Sequence, residues 1–156
     1  MKIFYWSPFI SKVATVSSVI RSAESIIKYC DNNEKINVSI IDAIGEWNGY
    51  RNNINSKINI IKLNNKNYFN SLPRGGFLKS RFSYLFIFFI NFFKLKNVLQ
   101  EKKPDFLIVH LITSLPIFLS LFLKNETKII LRLSGLPKLN SIRYLFRNIE
   151  PYLLVS

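Results

Sequence analysis

The sequence predicts an α/β fold, a Rossmann-like parallel sheet with helices on both faces. Two continuously apolar runs, residues 106–109 and 128–133, flank an apolar segment at 115–123 that has Pro116 in its first turn, as helices often do. Strands that are apolar throughout, without alternation, indicate a parallel sheet covered on both sides. We therefore predict a strand-helix-strand unit, and sheets of this kind bind ligands at the carboxyl ends of their strands.

The length and composition are those of one domain. The chain has 156 residues, of which 49% are hydrophobic, so it can build a single core. A single cysteine, Cys30, rules out an internal disulfide and a multi-cysteine metal site, and it indicates a reducing compartment. The apolar run at residues 2–6 is too short for the hydrophobic region of a signal peptide, so we expect a cytoplasmic protein.

The charge is strongly positive. The 22 Lys and Arg residues outnumber 9 Asp and Glu residues, which gives a net charge of +13. This excess indicates an anionic partner: nucleic acid, a phospholipid surface or a phosphorylated substrate. Because the basic residues are scattered and arginines are not interleaved with aromatic residues on strands, we expect no nucleic-acid partner. A compositional bias towards Lys, Asn and Ile would also raise the charge without any function.

The first strand is predicted at residues 2–6 and the first helix at 16–29, with a polar turn between them. A strand followed by a turn and a helix N-terminus offers free backbone N–H groups to an anion, so Ser11, Lys12 and Thr15 are candidate substrate-binding residues. The turn contains no glycine, whereas a dinucleotide fingerprint needs three. An enzyme that uses NAD or FAD is therefore not predicted.

The second and third strands are predicted at residues 36–41 and 58–63. Asp42 follows the second strand, and without a glycine-rich turn we interpret it as a solvated carboxylate at the strand end. The polar, asparagine-rich segments 45–57 and 64–76 are predicted to be mobile loops beside the site and candidates for substrate contacts.

A phenylalanine-rich helix is predicted at residues 82–93. Twelve residues would rise about 18 Å, short of a hydrocarbon core of roughly 30 Å, so we expect no membrane span. The predicted inward stripe is Phe82, Leu85, Phe86, Phe89 and Phe93, which leaves Tyr84, Ile87, Phe88 and Phe92 in surplus. Surplus aromatic residues beside cations indicate contact with an anionic membrane surface, and burial under a partner domain is the alternative. The candidate membrane residues are Arg81, Phe88, Phe92, Lys94 and Lys96.

The remaining predicted elements are a short helix at residues 138–148 and a sixth strand at 152–155. Because the sequence stops directly after a strand, we expect a fragment of a longer protein. A strand order of 3-2-1-4-5 would place the switch point between the first and fourth strands, so His110 would face the turn before the first helix. His110 is the only histidine, and a hydrogen-bonded core histidine is the alternative interpretation.

Four stretches together resemble the N-terminal, acceptor-side domain of family-4 GT-B glycosyltransferases. They are KIFYWSP at 2–8, VSIID at 38–42 with GEW at 45–47, PDFLIVH at 104–110, and LRLSGLP at 131–137. The resemblance covers nearly the whole chain. It implies one half of a GT-B architecture, with the C-terminal donor-binding domain absent, and retaining transfer from a nucleotide-sugar to a lipid-linked or saccharide acceptor for cell-surface polysaccharide synthesis. It also implies a peripheral location on the inner face of the cell membrane.

The resemblance also implies roles for individual residues. His110 matches the family's histidine at the end of the fourth strand, which faces the reacting sugar, and Ser134 and Gly135 match the small pair that lines the same cleft. The turn at residues 8–15 lacks the glycine pair of many members. No metal and no cofactor are implied besides the nucleotide-sugar co-substrate, and we expect this chain alone to be inactive. A non-catalytic, basic, peripheral membrane-binding module is the alternative function, and a nucleic-acid binder, which would fit the charge alone, is a further class that stays open.

Overall fold

The structure, a computed structural model, describes residues 1–11, 14–30, 36–110, 114–121, 127–133 and 152–155. Within these ranges the chain forms a sheet of six parallel strands in the order β3-β2-β1-β4-β5-β6, with helices on both faces, so the predicted fold class is confirmed. The elements in chain order are β1 (Lys2–Trp6), α1 (Thr15–Cys30), β2 (Asn37–Asp42), a 3-10 helix (Asn48–Asn53), β3 (Ile58–Lys62), α2 (Phe77–Lys102), β4 (Phe106–His110), α3 (Ser114–Ser120), β5 (Lys128–Leu133) and β6 (Tyr152–Val155).

The predicted strands are all present, each within one residue of its expected bounds, and the predicted order of the first five is correct. Strand β6 adds to the sheet beside β5. The 3-10 helix lies in a segment that we predicted to be a loop. The predicted helix at 138–148, and the candidate residues Lys12, Ser134 and Gly135, fall outside the described residues.

The two faces of the sheet carry separate cores because side chains alternate along each strand. On one face, Tyr5 and Ile40 pack with the buried stripe of α1, which is Val16, Val19, Ala23 and Ile27. On the other face, Trp6 and Val109 pack with α2 and α3. Right-handed crossovers require this division, since α1 connects strands in one direction along the sheet and α2 and α3 connect them in the other.

Helix α2 corrects two predictions. It has 26 residues, not twelve, and is about 39 Å long. The helix also includes residues 77–81 and 94–102, and it ends before Lys103, whose left-handed φ of 43° caps it. The predicted length failed because lysine, glutamine and glutamate are good helix formers, and only the apolar run was counted.

The faces of α2 were also assigned the wrong way round. The residues that point inward recur every four positions, at Ser83, Ile87, Asn91, Leu95 and Leu99, and all five are buried. The predicted inward stripe lies in solvent, with the following exposed fractions: Phe82 67%, Leu85 53%, Phe86 39%, Phe89 72% and Phe93 69%.

The prediction failed because the inward row contains two polar residues, and a prediction from hydrophobicity places polar residues on the surface. Both are satisfied by hydrogen bonds. Ser83 Oγ donates to the Pro73 carbonyl at 2.7 Å, and Asn91 Nδ2 donates to the Ile87 carbonyl at 2.9 Å. Burying a polar group that keeps its hydrogen bonds costs little, so the helix can turn this row to the core.

In the described part of the chain, one helix has the length and apolar composition of a membrane span, and it is α2 over Leu78–Lys102. Buried core helices can pass the same test. In this fold α2 connects two strands of a single sheet and packs Ile87, Leu95 and Leu99 in the core, which a bilayer-spanning helix could not do.

Candidate functional site

The candidate site lies at the carboxyl edge of the sheet, where β1, β2 and β4 end together. Trp6 pairs with Ile41 on one side and with Val109 on the other. The order of the strands reverses at this point, because β1 leads to β2 on one side while β3 returns to β4 on the other. In open parallel sheets this arrangement creates the crevice where ligands bind.

His110 is the last residue of β4, directly at this crevice, as its position in the sequence predicted. The side chain is 3% exposed, and the Nε2 atom has no hydrogen-bond partner among the residues that the structure describes. The ring lies 5.8 Å from the ring of Tyr5, centroid to centroid, and Arg132 occupies the paired position on β5.

The environment of His110 keeps its imidazole neutral. Burial lowers the pKa of His110 to about 4, and the positive charge of Arg132 contributes to the same shift. At neutral pH the ring therefore carries one N–H donor and one nitrogen acceptor. Burying a ring nitrogen without a hydrogen-bond partner is unfavourable. A hydrogen bond from this nitrogen to a ligand hydroxyl would remove that free-energy cost.

Tyr5 is a site residue that the sequence analysis missed. It is fully buried, its hydroxyl forms a 2.9 Å hydrogen bond with Ser22 Oγ on α1, and burial raises its pKa. The hydrogen bond to Ser22 holds the Tyr5 side chain in place, and the His110 ring lies beside it. The signal was present in the alternation: Tyr5 pairs with Ile108, two residues before His110, so both rings must point to the same face of the sheet.

The turn after β2 also differs from its prediction. Asp42 was expected in solvent, but it is 1% exposed and its Oδ1 accepts a 2.7 Å hydrogen bond from the Gly45 N–H. Glu46, which is 2% exposed, accepts hydrogen bonds from the N–H groups of Ala43 at 3.1 Å and Ile44 at 2.7 Å. The turn directs three backbone N–H groups inwards, and buried carboxyls satisfy them.

The two carboxyls of this turn are buried close together. Burial raises the pKa of Glu46 well above its usual value, and the hydrogen bond and the charge of Asp42 raise it further. Through their bonds to three backbone N–H groups, the two side chains hold the shape of the turn.

The backbone of this turn requires glycine at position 45. Gly45 has a φ of 92°, and a Cβ atom there would lie 2.8 Å from the side chain of Asn67. The same close approach lets the N–H groups of Tyr68 and Phe69 donate to the Ile44 carbonyl at 2.8 and 3.1 Å. The segment at 64–76, predicted to be a loop beside the site, is therefore hydrogen-bonded to the carboxyl edge.

The other candidate residues are placed as follows. Ser11 is exposed and Thr15 begins α1, so both follow the carboxyl end of β1. Of the candidate membrane residues, Arg81 is exposed, whereas Phe88 and Phe92 are half-buried against the core of the α2 face. Lys94 Nζ donates to Asn64 Oδ1. Within the described ranges, no cluster of three His, Cys, Asp or Glu residues could hold a metal ion.

Comparison with known proteins found similarity in structure but not in sequence. No protein-family model matches the sequence, and no curated protein matches it. A solved structure, UDP-GlcNAc 2-epimerase from Methanocaldococcus jannaschii, is similar over 100% of this chain with a TM-score of 0.51 and 16% identity. This chain covers 39% of the epimerase chain. At this identity the likeness shows the fold alone, which is the Rossmann-like α/β architecture of a parallel sheet with helices on both faces.

Proposed function

We propose that the chain is the acceptor-side domain of a retaining GT-B glycosyltransferase that transfers sugar from a nucleotide-sugar to a lipid-linked or saccharide acceptor. The observation that carries this proposal is His110. Its imidazole is buried and neutral, and its Nε2 atom has no described partner at the switch point of a parallel sheet. A polar group of this kind at the place where ligands bind is suited to a sugar hydroxyl.

Two further observations support a site for a sugar rather than for a dinucleotide. The turn after β1 has no glycine, so its backbone cannot approach a pyrophosphate closely. Asp42 Oδ1 and both oxygens of Glu46 accept hydrogen bonds from backbone N–H groups of their own turn. These carboxyls therefore stabilise the turn, while among the described residues the Nε2 atom of His110 is a buried group without a hydrogen-bond partner at the switch point.

The proposal assigns donor binding to a second domain. The similar epimerase is more than twice as long as the part that this chain covers. Catalysis of sugar transfer requires two substrates to be held together, and proximity supplies much of the rate. We therefore expect the chain alone to show no measurable sugar transfer, and robust turnover by the isolated chain would refute the assignment.

The test of this function uses the protein expressed with its natural flanking sequence. The assay supplies a panel of nucleotide-sugars with and without lipid-linked and saccharide acceptors, and measures both released nucleotide and the sugar product. We expect acceptor-dependent release of nucleotide, and a His110→Ala variant should lose at least about tenfold in turnover, the loss of one hydrogen bond made at the reacting sugar.

Ser25→Ala is a matched control, because Ser25 is exposed on α1 and should leave turnover unchanged. Wild-type rates in His110→Ala, with acceptor-dependent transfer intact, would make His110 a structural residue.

A sugar-nucleotide epimerase is the second candidate function, because the similar solved structure is one. The same assay separates the two reactions. Epimerisation converts the nucleotide-sugar without an acceptor and without stoichiometric release of nucleotide, whereas transfer requires the acceptor. An epimerised product formed without acceptor would favour the second candidate and refute the first.

A further inference from the structure

Helices α2 and α3 present a continuous apolar surface to solvent, here called the α2–α3 surface. Its rings contact one another, since Phe118 of α3 lies 5.8 Å from Phe88 and 6.0 Å from Phe92, and Phe92 lies 5.1 Å from Phe93. Its exposed members are Leu78, Phe82, Leu85, Phe86, Phe89, Phe93, Phe118 and Leu121, each at least 39% exposed. Monomeric proteins rarely leave so many neighbouring large apolar side chains in water, so this surface indicates a binding partner.

Most of the exposed members of this surface lie where α2 projects beyond the sheet. Asn64 Nδ2 donates to Asn91 Oδ1 on α2 at 2.8 Å and to the Ala43 carbonyl at 2.7 Å. Ala43 directly follows β2, so Asn91 lies level with the carboxyl edge of the sheet. Residues 77–90 therefore extend about 21 Å past that edge. Their inner side rests on the 64–76 segment, where buried Ser83 Oγ donates to the Pro73 carbonyl at 2.7 Å.

The chemistry of the projecting helix favours an anionic partner. Projected at about 100° per residue, the exposed apolar residues of α2 occupy an arc of about 100°, with Lys79 on one side of the arc and Arg81 on the other. Residues 77–100 contain four cations, Lys79, Arg81, Lys94 and Lys96, and no carboxylate. Apolar side chains flanked by cations are the pattern of a helix that lies in a membrane interface.

We propose that the α2–α3 surface docks on an anionic phospholipid bilayer with α2 lying in the interface plane. The apolar arc would enter the boundary between headgroups and acyl chains, and the flanking cations would contact lipid phosphates. The helix does not span the bilayer, because Ile87, Leu95 and Leu99 belong to the core and both ends of α2 continue into strands of one sheet. This proposal is independent of the catalytic one.

Docking in this orientation places the bilayer against the α2 face of the sheet. The projecting half of α2 starts at the carboxyl edge, so this part of the surface lies beside the edge where β1, β2 and β4 end. The membrane residues this assigns are Phe82 and Phe89 together with the cations, in place of Phe88 and Phe92, which face the core.

The test is sedimentation of the full chain with vesicles of phosphatidylcholine alone and of equimolar phosphatidylcholine and phosphatidylglycerol. We expect binding to the anionic vesicles, weakening as salt rises. A Phe82→Ser/Phe89→Ser variant should bind at least about tenfold more weakly, because each ring loses its apolar burial. A Lys79→Gln/Arg81→Gln variant should bind roughly 25-fold more weakly at low salt, about fivefold for each cation.

Matched controls come from the opposite face of the sheet. Tyr29 on α1 is 70% exposed, so Tyr29→Ser removes an equally exposed aromatic residue and should leave vesicle binding unchanged. Arg21→Gln/Lys28→Gln removes two exposed cations from α1 and should have a much smaller effect than the α2 pair. Circular dichroism should show that every variant retains the wild-type fold.

Other results would overturn the proposal. Equal losses from the α1 and α2 variants would indicate general charge attraction without a docking surface. Concentration-dependent dimerisation that Phe82→Ser/Phe89→Ser abolishes, with no vesicle binding, would assign the surface to a second copy of the chain. Vesicle-bound protein that neither high salt nor alkaline extraction releases would indicate a spanning helix.

Discussion

The helices on the two faces of the sheet differ in how many large apolar side chains they leave exposed. On the α1 face, a 16-residue helix buries small side chains, and Tyr29 at its end is its one large exposed apolar residue. On the opposite face, α2 and α3 bury one row of side chains and leave a second, more apolar row in solvent. The buried stripe of amphipathic α1 accounts for most of its apolar residues, whereas α2 keeps an apolar row exposed, for which we propose membrane docking.

The largest expected effect contrasts two rows of one helix. Leu99→Ala should lower the free energy of unfolding by about 2–5 kcal/mol, since Leu99 is 2% exposed and its loss leaves a cavity. Phe93→Ala, at a position 69% exposed, should change it by no more than about 0.5 kcal/mol. Urea unfolding followed by circular dichroism measures both. Similar losses in the two variants would break the contrast between the rows.

The next effect concerns the α1 face, where His110 is buried without charge. Its pKa is lowered from 6.5 to about 4, so the unfolded chain binds a proton that the folded chain does not. The contribution of His110 to the free energy of unfolding should be complete above pH 6.5. It should fall by up to about 3 kcal/mol as the pH decreases towards 4.

His110→Asn cannot titrate, so its stability should depend less on pH in that range than the wild-type stability does. Unfolding midpoints measured at several pH values provide the comparison, and Asn59→Ala, an exposed substitution on β3, is the control. Parallel pH curves for wild type and His110→Asn would show that the histidine is solvated after all.

A smaller effect would test how firmly α1 is joined to the sheet. Tyr5→Phe removes the hydroxyl that bonds Ser22 Oγ and should cost about 1 kcal/mol. Ser22→Ala should cost a similar amount, and the double variant should cost less than the sum, because both changes remove the same hydrogen bond. Additive losses in thermal or urea unfolding would show that these two hydroxyls do not interact.

The last comparison concerns Glu46→Gln. Glutamine offers one carbonyl acceptor to the N–H groups of Ala43 and Ile44, where the carboxyl offers two, but its amide can donate to Asp42. One hydrogen bond is lost and one is gained, so we expect the stability at pH 7 to fall by about 1 kcal/mol. Because the folded pKa of Glu46 is raised, wild-type stability should decline as the pH rises above 4.5 towards that pKa.

The Glu46→Gln variant should lack this decline, and its urea midpoints between pH 4 and 8 would show it. An unchanged profile would mean that folding does not raise the pKa of Glu46.

Most of the fold could be predicted from the sequence because its strands are short, continuously apolar and separated by turns. The βαβ unit around His110 was identified in this way, and parallel pairing then fixed the strand order. The location of His110 followed from the same rule, since a residue that ends the fourth strand must lie at the switch point. The contact of His110 with Tyr5 was not predicted, because Tyr5 is 105 positions away and only the β1–β4 register brings the two residues together.

The orientation of α2 was decided by the tertiary structure. Hydropathy ranks Phe82, Phe89 and Phe93 above Ser83 and Asn91, yet the polar pair is buried and the phenylalanines are exposed. The burial of Asp42 has the same origin. Buried polar groups are tolerated where hydrogen-bond partners meet them, and those partners, Pro73, Asn64 and the backbone of the 42–46 turn, are known only once the chain is folded. Short apolar runs are therefore enough to show which segments enter the sheet, whereas the packing of segments distant in the chain sets which side of α2 faces it.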